Sequence, residues 1–334
     1  MKFGHYIRYF SEDFSLHEAD PSLINETDKE ISSGKLTRKT DKIEFPIING
    51  IPRFLNQNHL NYSDNFGLQW NKYKKTQFDS YTKLPLSSDR FWHNTKWTKE
   101  ELNGKKVLEV GSGAGRFTEI LIKSGASVIS FDLSNAVEAN YENNHNHGDL
   151  LIFQGDIYDI PFPDEYFDFI FCFGVLQHTP KPNLAYVQIF KKLKRGGKIS
   201  IDYYLKFPSI SPWSTPKYLW RPITKNLPPS ILLRWIKFYI PFWIPIDTFL
   251  RRLPHFGNKI VALIPIPCWN YLDIGLSQSQ RVQWAILDTF DALAPRYDYP
   301  KTIEEVAEMI SSEKNRVVDI FYGSNGVVAN IIKK

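Results

Sequence analysis

The chain has 334 residues, of which 43% are hydrophobic and 23% charged, a composition that is ordinary for a folded globular protein and excludes a low-complexity or repeat protein. The formal net charge of +5 suits an anionic partner but is too small by itself to indicate nucleic-acid binding. Only Cys172 and Cys268 are present, which excludes a disulfide framework and a cysteine-rich metal site and favours the reducing cytoplasm. The first residues lack the apolar stretch of a signal peptide, so we expect no export.

Residues 1–60 are predicted to be a small module built around a hairpin. The run EFPIINGIPRFL, residues 44–55, contains two short β-type stretches on either side of Asn49-Gly50, the strongest short-range signal for a hairpin turn. No cysteine occurs in the first 100 residues, and the histidines there are scattered: His5, His17, His59 and His93. We therefore predict no metal site.

Residues 105–205 alternate strand and helix patterns. KKVLEVG, residues 105–111, is a β-type run, and RFTEILIKSG, residues 116–125, has the apolar spacing of a helix before a glycine. Four more β-type runs follow at 126–132, 150–156, 167–173 and 198–205, and a helical pattern at 184–194 ends at Arg-Gly-Gly. This alternation predicts a doubly wound α/β fold, in which ligands bind outside the carboxyl ends of the strands.

A glycine-rich loop joins the first of these strands to the first helix. In VLEVGSGAGRF, Gly111 and Gly113 leave room for a ligand, and Gly115 allows the helix to pack closely on the strand. The dinucleotide fingerprint has its third glycine where this chain has Arg116, which we expect at the surface of the helix N-terminus. Glu109 would repel a pyrophosphate but attract an ammonium or sulfonium group. The loop therefore favours a nucleotide-like ligand that carries positive charge.

Residues 206–300 are predicted to be an insertion that selects the substrate. Between Asp202 and Asp247 the chain has no acidic residue, six basic residues and four tryptophans. The stretch at 231–250 approaches the length of a membrane span, but its charges and prolines argue against one. Two interpretations stay open: helices that close over a substrate pocket, or a surface that rests on anionic lipid. Near the end of the insertion, Asp288, Asp291 and Tyr297 could contact substrate, although helix caps and turns explain them as well.

From residue 107 to residue 205 the chain resembles the class I S-adenosylmethionine-dependent methyltransferases. Five motifs carry the resemblance in order: VLEVGSGAGRF, FDLS, GDIYDIPF, FCFGVLQHTPKP and LKRGGKISI. The resemblance implies a Rossmann-like fold with a seven-stranded, mostly parallel sheet, which residues 301–334 complete with a helix and a strand hairpin. Residues 61–104, rich in aromatic and basic side chains, would be helices covering the cofactor, with Gln69, Trp70 and Tyr73 near it. Residues 44–55 also resemble the end of a zinc-ribbon module, without its cysteines.

The resemblance implies that S-adenosyl-L-methionine is the cofactor and S-adenosyl-L-homocysteine the product. Eleven residues are expected to bind the cofactor. They are Glu109, Gly111, Ser112, Gly113 and Gly115 at its methionine end, Asp132 and Leu133 at its ribose, Asp156 and Ile157 at its adenine, and Phe173 and Gly174 on the floor of the binding site near the methionine. Asp132 could instead cap a helix, and Asp156 could be a turn residue. His178 is a candidate base for the acceptor, and the alternative is a histidine that shapes the pocket.

We therefore expect an enzyme that methylates a small-molecule or lipid-linked acceptor by direct in-line transfer. The alternative is a non-catalytic protein that keeps the fold and binds a membrane or a partner through residues 206–250. A nicotinamide oxidoreductase is disfavoured by Arg116 and Glu109. A nucleic-acid acceptor is not expected, because FGVLQH stands where an Asn-Pro-Pro-Tyr-type motif would be sought. The expected location is the cytoplasm, with peripheral membrane contact left open.

Overall fold

The computed structural model describes residues 1–19, 29–55, 62–206, 216–311 and 315–334, with only the backbone described at 315 and 316. The chain begins with α1 (Phe3–Tyr9), followed by four antiparallel strands: β1 (Phe14–His17), β2 (Gly34–Arg38), β3 (Glu44–Ile48) and β4 (Ile51–Phe54). The turn between β3 and β4 has φ of +53° at Asn49 and +77° at Gly50, as a two-residue type I′ hairpin turn requires. The hairpin predicted here is thus confirmed. His59 lies outside the described residues.

The central sheet has the strands of a doubly wound α/β fold, as predicted. Five strands run parallel: β5 (Lys106–Val110), β6 (Ser127–Asp132), β7 (Asp149–Gly155), β8 (Phe167–Cys172) and β9 (Leu193–Tyr204). The hairpin of β10 (Asn315–Gly323) and β11 (Gly326–Lys333) completes the core, with β11 antiparallel to β9. The order of the seven core strands is β7-β6-β5-β8-β9-β11-β10. The first four strands extend this sheet to eleven, because β4 pairs in parallel with β7.

Helices flank the sheet and cover its strand ends. Among the described residues, four helices lie between β4 and β5: α2 (Asp64–Lys72), α3 (Asp79–Thr82), α4 (Leu86–Thr95) and α5 (Lys99–Leu102). Three connect parallel strands: α6 (Arg116–Lys123), α7 (Ala136–Asn144) and α8 (Pro182–Lys192). The helical pattern predicted to continue to residue 194 ends at Lys192 instead, and Arg-Gly-Gly lies inside β9. The reason is a register shift between β8 and β9, which lets this irregular stretch follow the strand path.

The segment predicted to be an insertion contains helices that share an apolar cluster. They are α9 (Pro216–Thr224), α10 (Pro229–Arg251), α11 (Gly257–Ala262) and α12 (Gln278–Leu293), and α13 (Ile303–Ile310) follows them. One face of α10, with Ile236, Ile240 and Ile244, packs in this cluster with Phe290 and Leu293 of α12. Among the helices of the described residues, none combines the length and the apolar character needed to cross a membrane.

Candidate functional site

A cavity of about 1040 Å³ lies at the carboxyl ends of the parallel strands. Nine of the predicted site residues line it: Gly111, Ser112, Gly113, Asp132, Leu133, Ile157, Phe173, Gly174 and His178. Three others, Glu109, Gly115 and Asp156, are absent from its lining. Of the side chains predicted to cover it from residues 61–104, Trp70 and Tyr73 line the cavity, whereas Gln69 is fully buried beside it. The strand ends thus bring the loop, one acid and the histidine to one space.

The glycine loop is held in a backbone conformation that a larger residue would strain. Gly111 has a φ of +72°, and a Cβ placed there would lie 2.2 Å from Cγ2 of Val175. A Cβ on Gly113 would lie 3.0 Å from the indole of Trp70. Gly115 approaches a different neighbour from the predicted one, since its Cβ would meet Oδ1 of Asn140 on α7 at 2.1 Å. The loop therefore packs tightly against its neighbours, two of which, Trp70 and Val175, also line the cavity.

Asp132, at the end of β6, both lines the cavity and fixes the loop beside it. Its Oδ2 accepts a hydrogen bond from the backbone N–H of Gly113 at 2.9 Å. Its Oδ1 accepts from the backbone N–H of Ser134 at 2.8 Å and from the hydroxyl of the same residue at 2.7 Å. Removal from water raises the pKa of Asp132, and these hydrogen bonds act in the opposite direction. Asp132 therefore stabilises the turn after β6 and also lines the cavity.

Glu109 is buried behind the loop rather than exposed to the cavity. Its Oε2 accepts hydrogen bonds from the hydroxyl of Thr118 and from that of Ser130, the latter at 2.8 Å. Asn140 donates to both hydroxyls, at 3.1 and 3.0 Å. Oε1 of Glu109 is buried with no hydrogen-bond partner among the described residues. Burial raises the pKa of Glu109 to about 7, and the two hydroxyls oppose that rise.

The structure places Asp156 and Ile157 differently with respect to the cavity. Ile157 is buried and lines the wall. The Oδ1 of Asp156 accepts the backbone N–H of Tyr158 at 3.0 Å, the arrangement expected of the alternative, a turn residue. Asp156 does not line the cavity, and its direct contact with a ligand stays a prediction.

A buried ion pair supports the cavity floor, and the sequence interpretation missed it. The backbone N–H of Gly174 donates to Oδ1 of Asp202 at 2.5 Å, and the guanidinium of Arg90 donates to Oδ2 at 2.9 Å. Only 1% of the Asp202 side chain and 11% of that of Arg90 are exposed. The guanidinium also lies 5.8 Å from the ring centre of Phe173, on the floor. A single acid within the apolar strand run KISIDYYL was the available signal for Asp202.

Arg116, which the sequence placed at the surface of the helix N-terminus, is half-buried and lines the cavity. Its guanidinium lies 4.5 Å from the ring centre of Phe117. Burial, and then the charge of Arg90, lower the pKa of Arg116 to about 10, so it is a cation at neutral pH. Asp288 of α12 also lines the cavity, and burial raises its pKa to about 6. Helix α12 thus brings a carboxyl group to a cavity that Arg90, Arg116 and Arg251 also line.

Three side chains donate hydrogen bonds to Asp288 and keep it in place. Gln77 donates at 2.9 Å, the indole of Trp284 at 3.0 Å, and the hydroxyl of Tyr271 is the third donor. The carboxylate of Asp291, one turn further along α12, accepts from Gln69 at 2.8 Å and from Tyr204 at 3.0 Å. Of the three candidates in this segment, Asp288 and Asp291 line the cavity, whereas Tyr297 is absent from its lining.

His178 follows β8 in a short 3₁₀ turn and has a defined tautomer. Its Nδ1 lies 2.9 Å from the backbone carbonyl oxygen of Tyr297, which can only accept, so Nδ1 carries the proton. Burial lowers the pKa of His178, while Asp291 and Asp298 oppose that shift. The ring is therefore neutral at pH 7, and its unprotonated Nε2 has no hydrogen-bond partner among the described residues. The residue lines the cavity and its neutral Nε2 can accept a proton, so its role as a general base stays a prediction.

Comparison with known proteins finds a match in the middle of the chain. Residues 108–201 match the family model described as a methyltransferase domain. This segment is a class I S-adenosylmethionine-dependent methyltransferase domain. The match begins at residue 108, so it gives no support to the resemblance of residues 44–55 to a zinc-ribbon module.

Curated relatives of this methyltransferase domain differ in what their names say they act on. The ubiquinone biosynthesis O-methyltransferase of Pseudomonas fluorescens is 30% identical over 108 residues, which are 31% of this chain and 47% of the relative. The tRNA U34 carboxymethyltransferase of Nautilia profundicola is 33% identical over 125 residues, which are 35% of this chain and 42% of the relative. The chain thus spans less than half the length of these two relatives.

Solved structures with a similar chain path include an S-adenosylmethionine-dependent methyltransferase from Aquifex aeolicus. The match covers 83% of this chain and 100% of that one, at 14% identity and a TM-score of 0.41. A TM-score this low carries no information about the acceptor.

Proposed function

We propose that the protein transfers a methyl group from S-adenosyl-L-methionine to a small-molecule or lipid-linked acceptor bound in the 1040 Å³ cavity. The observation that carries the proposal is the meeting of the glycine loop, Asp132 and His178 in one cavity of a methyltransferase domain. Residues 105–205 would be the cofactor-binding core and residues 206–300 the substrate-capping insertion. The cytoplasmic location predicted from the two cysteines is part of the same proposal.

The residues at the strand ends fit the cofactor. Gly111, Ser112 and Gly113 of the loop line the cavity, and the two glycines present backbone without a side chain there. Asp132 Oδ2 accepts a single hydrogen bond from the loop and keeps capacity for a ribose hydroxyl. Leu133 and Ile157 offer apolar walls for a purine ring. Glu109 lies behind the loop and does not line the cavity, so its predicted contact with the cofactor gains no support from the geometry.

The chemistry asks little of the protein beyond placement and one proton acceptor. When bound, S-adenosylmethionine supplies an activated methyl group that a nucleophile displaces in line. His178 would accept the proton of a hydroxyl acceptor at Nε2, since its Nδ1 is held by the carbonyl of Tyr297. The buried position of His178 keeps it neutral and therefore competent at pH 7. An acceptor that is already deprotonated would not need this step.

The names of the relatives leave the acceptor class open, and two observations favour a small or lipid-linked one. The net charge is only +5, and the walls near the insertion include apolar residues such as Ile264 and Ile266. Because one relative is named as a tRNA enzyme, the expectation of no nucleic-acid acceptor stays a prediction. The competing function is a non-catalytic protein that keeps the fold, and this protein would bind the cofactor without turnover.

Calorimetric titration tests the cofactor. S-adenosylmethionine and S-adenosylhomocysteine should bind with micromolar dissociation constants, and NADH should not. Asp132→Asn should raise the dissociation constants of both ligands at least about tenfold, because a charge-assisted hydrogen bond is lost. Asp89→Asn, at an exposed position on α4, is the matched control and should bind normally. Absence of binding by the wild type, or a preference for NADH, would overturn the proposal. Normal binding without methylation in a broad acceptor screen would favour the non-catalytic alternative.

A further inference from the structure

The solvent side of α10 carries a continuous row of large apolar side chains. The row consists of Ile231, Trp235, Phe238, Phe242, Ile246 and Phe249, which are between 45% and 69% exposed. Their spacing of three or four residues puts them on one face, opposite the face that packs on α12. The row runs from residue 231 to residue 249 of this helix and is therefore about 27 Å long. Both faces of α10 are thus apolar, and only one is buried by the protein.

The exposed charges on α10 itself are positive. Asp247, its acidic residue, is buried, and the sequence has no acidic residue between Asp202 and Asp247. Exposed basic side chains occur on α10 and in the neighbouring helices: Lys225, Arg234, Lys237 and Lys259, whereas the exposed Arg252 is paired with Asp273 at 3.8 Å. Burial and the adjacent Lys72 of α2 lower the pKa of Lys237. Two like charges held together at the surface are stabilised by an anion.

The same elements form both the apolar surface and the rim of the cavity. Arg251 of α10 and Val261 of α11 line the cavity. Phe249, Phe256 and Leu263, which are neighbours of these residues in the chain, face solvent with 64–67% of their surface exposed. The helices that carry the exposed apolar side chains therefore also contribute to the cavity wall.

We infer that the apolar row of α10 docks onto a bilayer that contains anionic lipid, with the row in the headgroup region and the flanking lysines and arginines on the lipid phosphates. Bulky aromatic side chains on one face and cations beside them are the features by which a surface-lying helix binds such a membrane. A consequence, which rests on the proposed methyl transfer, is that an amphipathic acceptor would enter the cavity from the lipid phase.

Vesicle flotation of the full chain tests this inference. Vesicles of phosphatidylcholine with phosphatidylglycerol should bind the wild type, pure phosphatidylcholine vesicles should bind it more weakly, and added salt should reduce the difference. The triple variant Trp235→Ser, Phe238→Ser, Phe242→Ser should lower the partition coefficient at least about tenfold. Its control is Ile7→Ser, Ile48→Ser, Val187→Ser, at exposed apolar positions on other elements, which should bind like the wild type.

Charge variants and the oligomeric state complete the test. Lys72→Gln with Lys237→Gln should lower binding to anionic vesicles at least about fivefold, whereas Lys99→Gln with Lys105→Gln should not. Failure of the wild type to bind either vesicle, or unchanged binding by the triple variant, would overturn the inference. So would a wild-type dimer that becomes monomeric in the triple variant and ignores vesicles, because the occupant would then be a second copy. Vesicle binding needs no cofactor, so its outcome is separate from that of the titration with S-adenosylmethionine.

Discussion

The buried Glu109 should make the stability of this protein fall as the pH rises from about 4.5 to about 7. Burial raises its pKa from 4.5 to about 7 in the folded chain, whereas the unfolded chain keeps the ordinary value. Between these two values the folded state holds a proton that the unfolded state has lost, so raising the pH favours unfolding. Below about pH 4.5 both states are protonated, and above about pH 7 both are ionised.

The size of the effect follows from the width of that window. A difference of roughly 2.5 pKa units at about 1.4 kcal/mol each corresponds to about 3 kcal/mol of unfolding free energy. No large discount for solvent screening applies, since Glu109 is only 1% exposed. Glu109→Gln removes the ionisation and keeps an oxygen that can accept from Thr118 and Ser130. Whatever the substitution costs by itself, the stability of the variant relative to the wild type should improve by about 3 kcal/mol across the window.

Urea unfolding, followed by circular dichroism at about pH 4.5 and about pH 7.5, measures this relative stability. Glu308→Gln, at an exposed position of α13, is the matched control and should track the wild type at both pH values. The reasoning is refuted if Glu109→Gln and the wild type differ by the same amount at the two pH values, because the carboxyl group would then not be held protonated by burial.

Three further predictions concern the loop, the floor and the candidate base. Gly111→Ala should lower the free energy of unfolding by about 2–4 kcal/mol, because alanine is strained at positive φ and its Cβ overlaps with Val175. Adding Val175→Ala should restore only the stability lost to this overlap. Equal stability of Gly111→Ala and the wild type in urea would contradict the prediction. Arg90→Gln should lower the free energy of unfolding by about 3–5 kcal/mol, because Asp202 is left buried without a cation. The double variant with Asp202→Asn should lose less stability than the two single variants together. Additive losses in urea unfolding would exclude a coupled pair. The imidazole of His178 should titrate by NMR below pH 6.5, with the resonance assigned by its absence in His178→Gln, so that it is neutral at pH 7; a pKa above 6.5 would remove it as the candidate base.

Local sequence patterns predicted the elements that depend on neighbouring residues. The Asn49-Gly50 turn could be predicted because a two-residue hairpin needs positive φ at both positions. The alternation of apolar runs and helical patterns predicted the parallel strands, since strands buried on both faces are apolar throughout. The loop after the first of them was equally visible. The end of the helix before β9 was not, because the register shift that places Arg-Gly-Gly in a strand is set by pairing with β8.

The site divides in the same way. Topology alone brings Gly111, Asp132 and His178 to one edge, because the carboxyl ends of parallel strands meet there. The direction in which a side chain points depends on packing between distant segments. Arg116 was expected at the surface and lines the cavity, whereas Glu109 was expected at the ligand and lies behind the loop among hydroxyl groups.

The sequence by itself therefore determined the class of fold, the order of the strands along the chain and the segments that supply the cavity. Hydrophobic periodicity and glycine positions are local signals that extend over a few residues, and such local signals are enough to predict these features. Only the tertiary structure decided that Arg90 reaches Asp202, across 112 positions of the chain, and that one face of α10 packs while the other is left to solvent. A helix that is apolar on both faces has no preference of its own, and its packing partner, α12, chooses which face is buried.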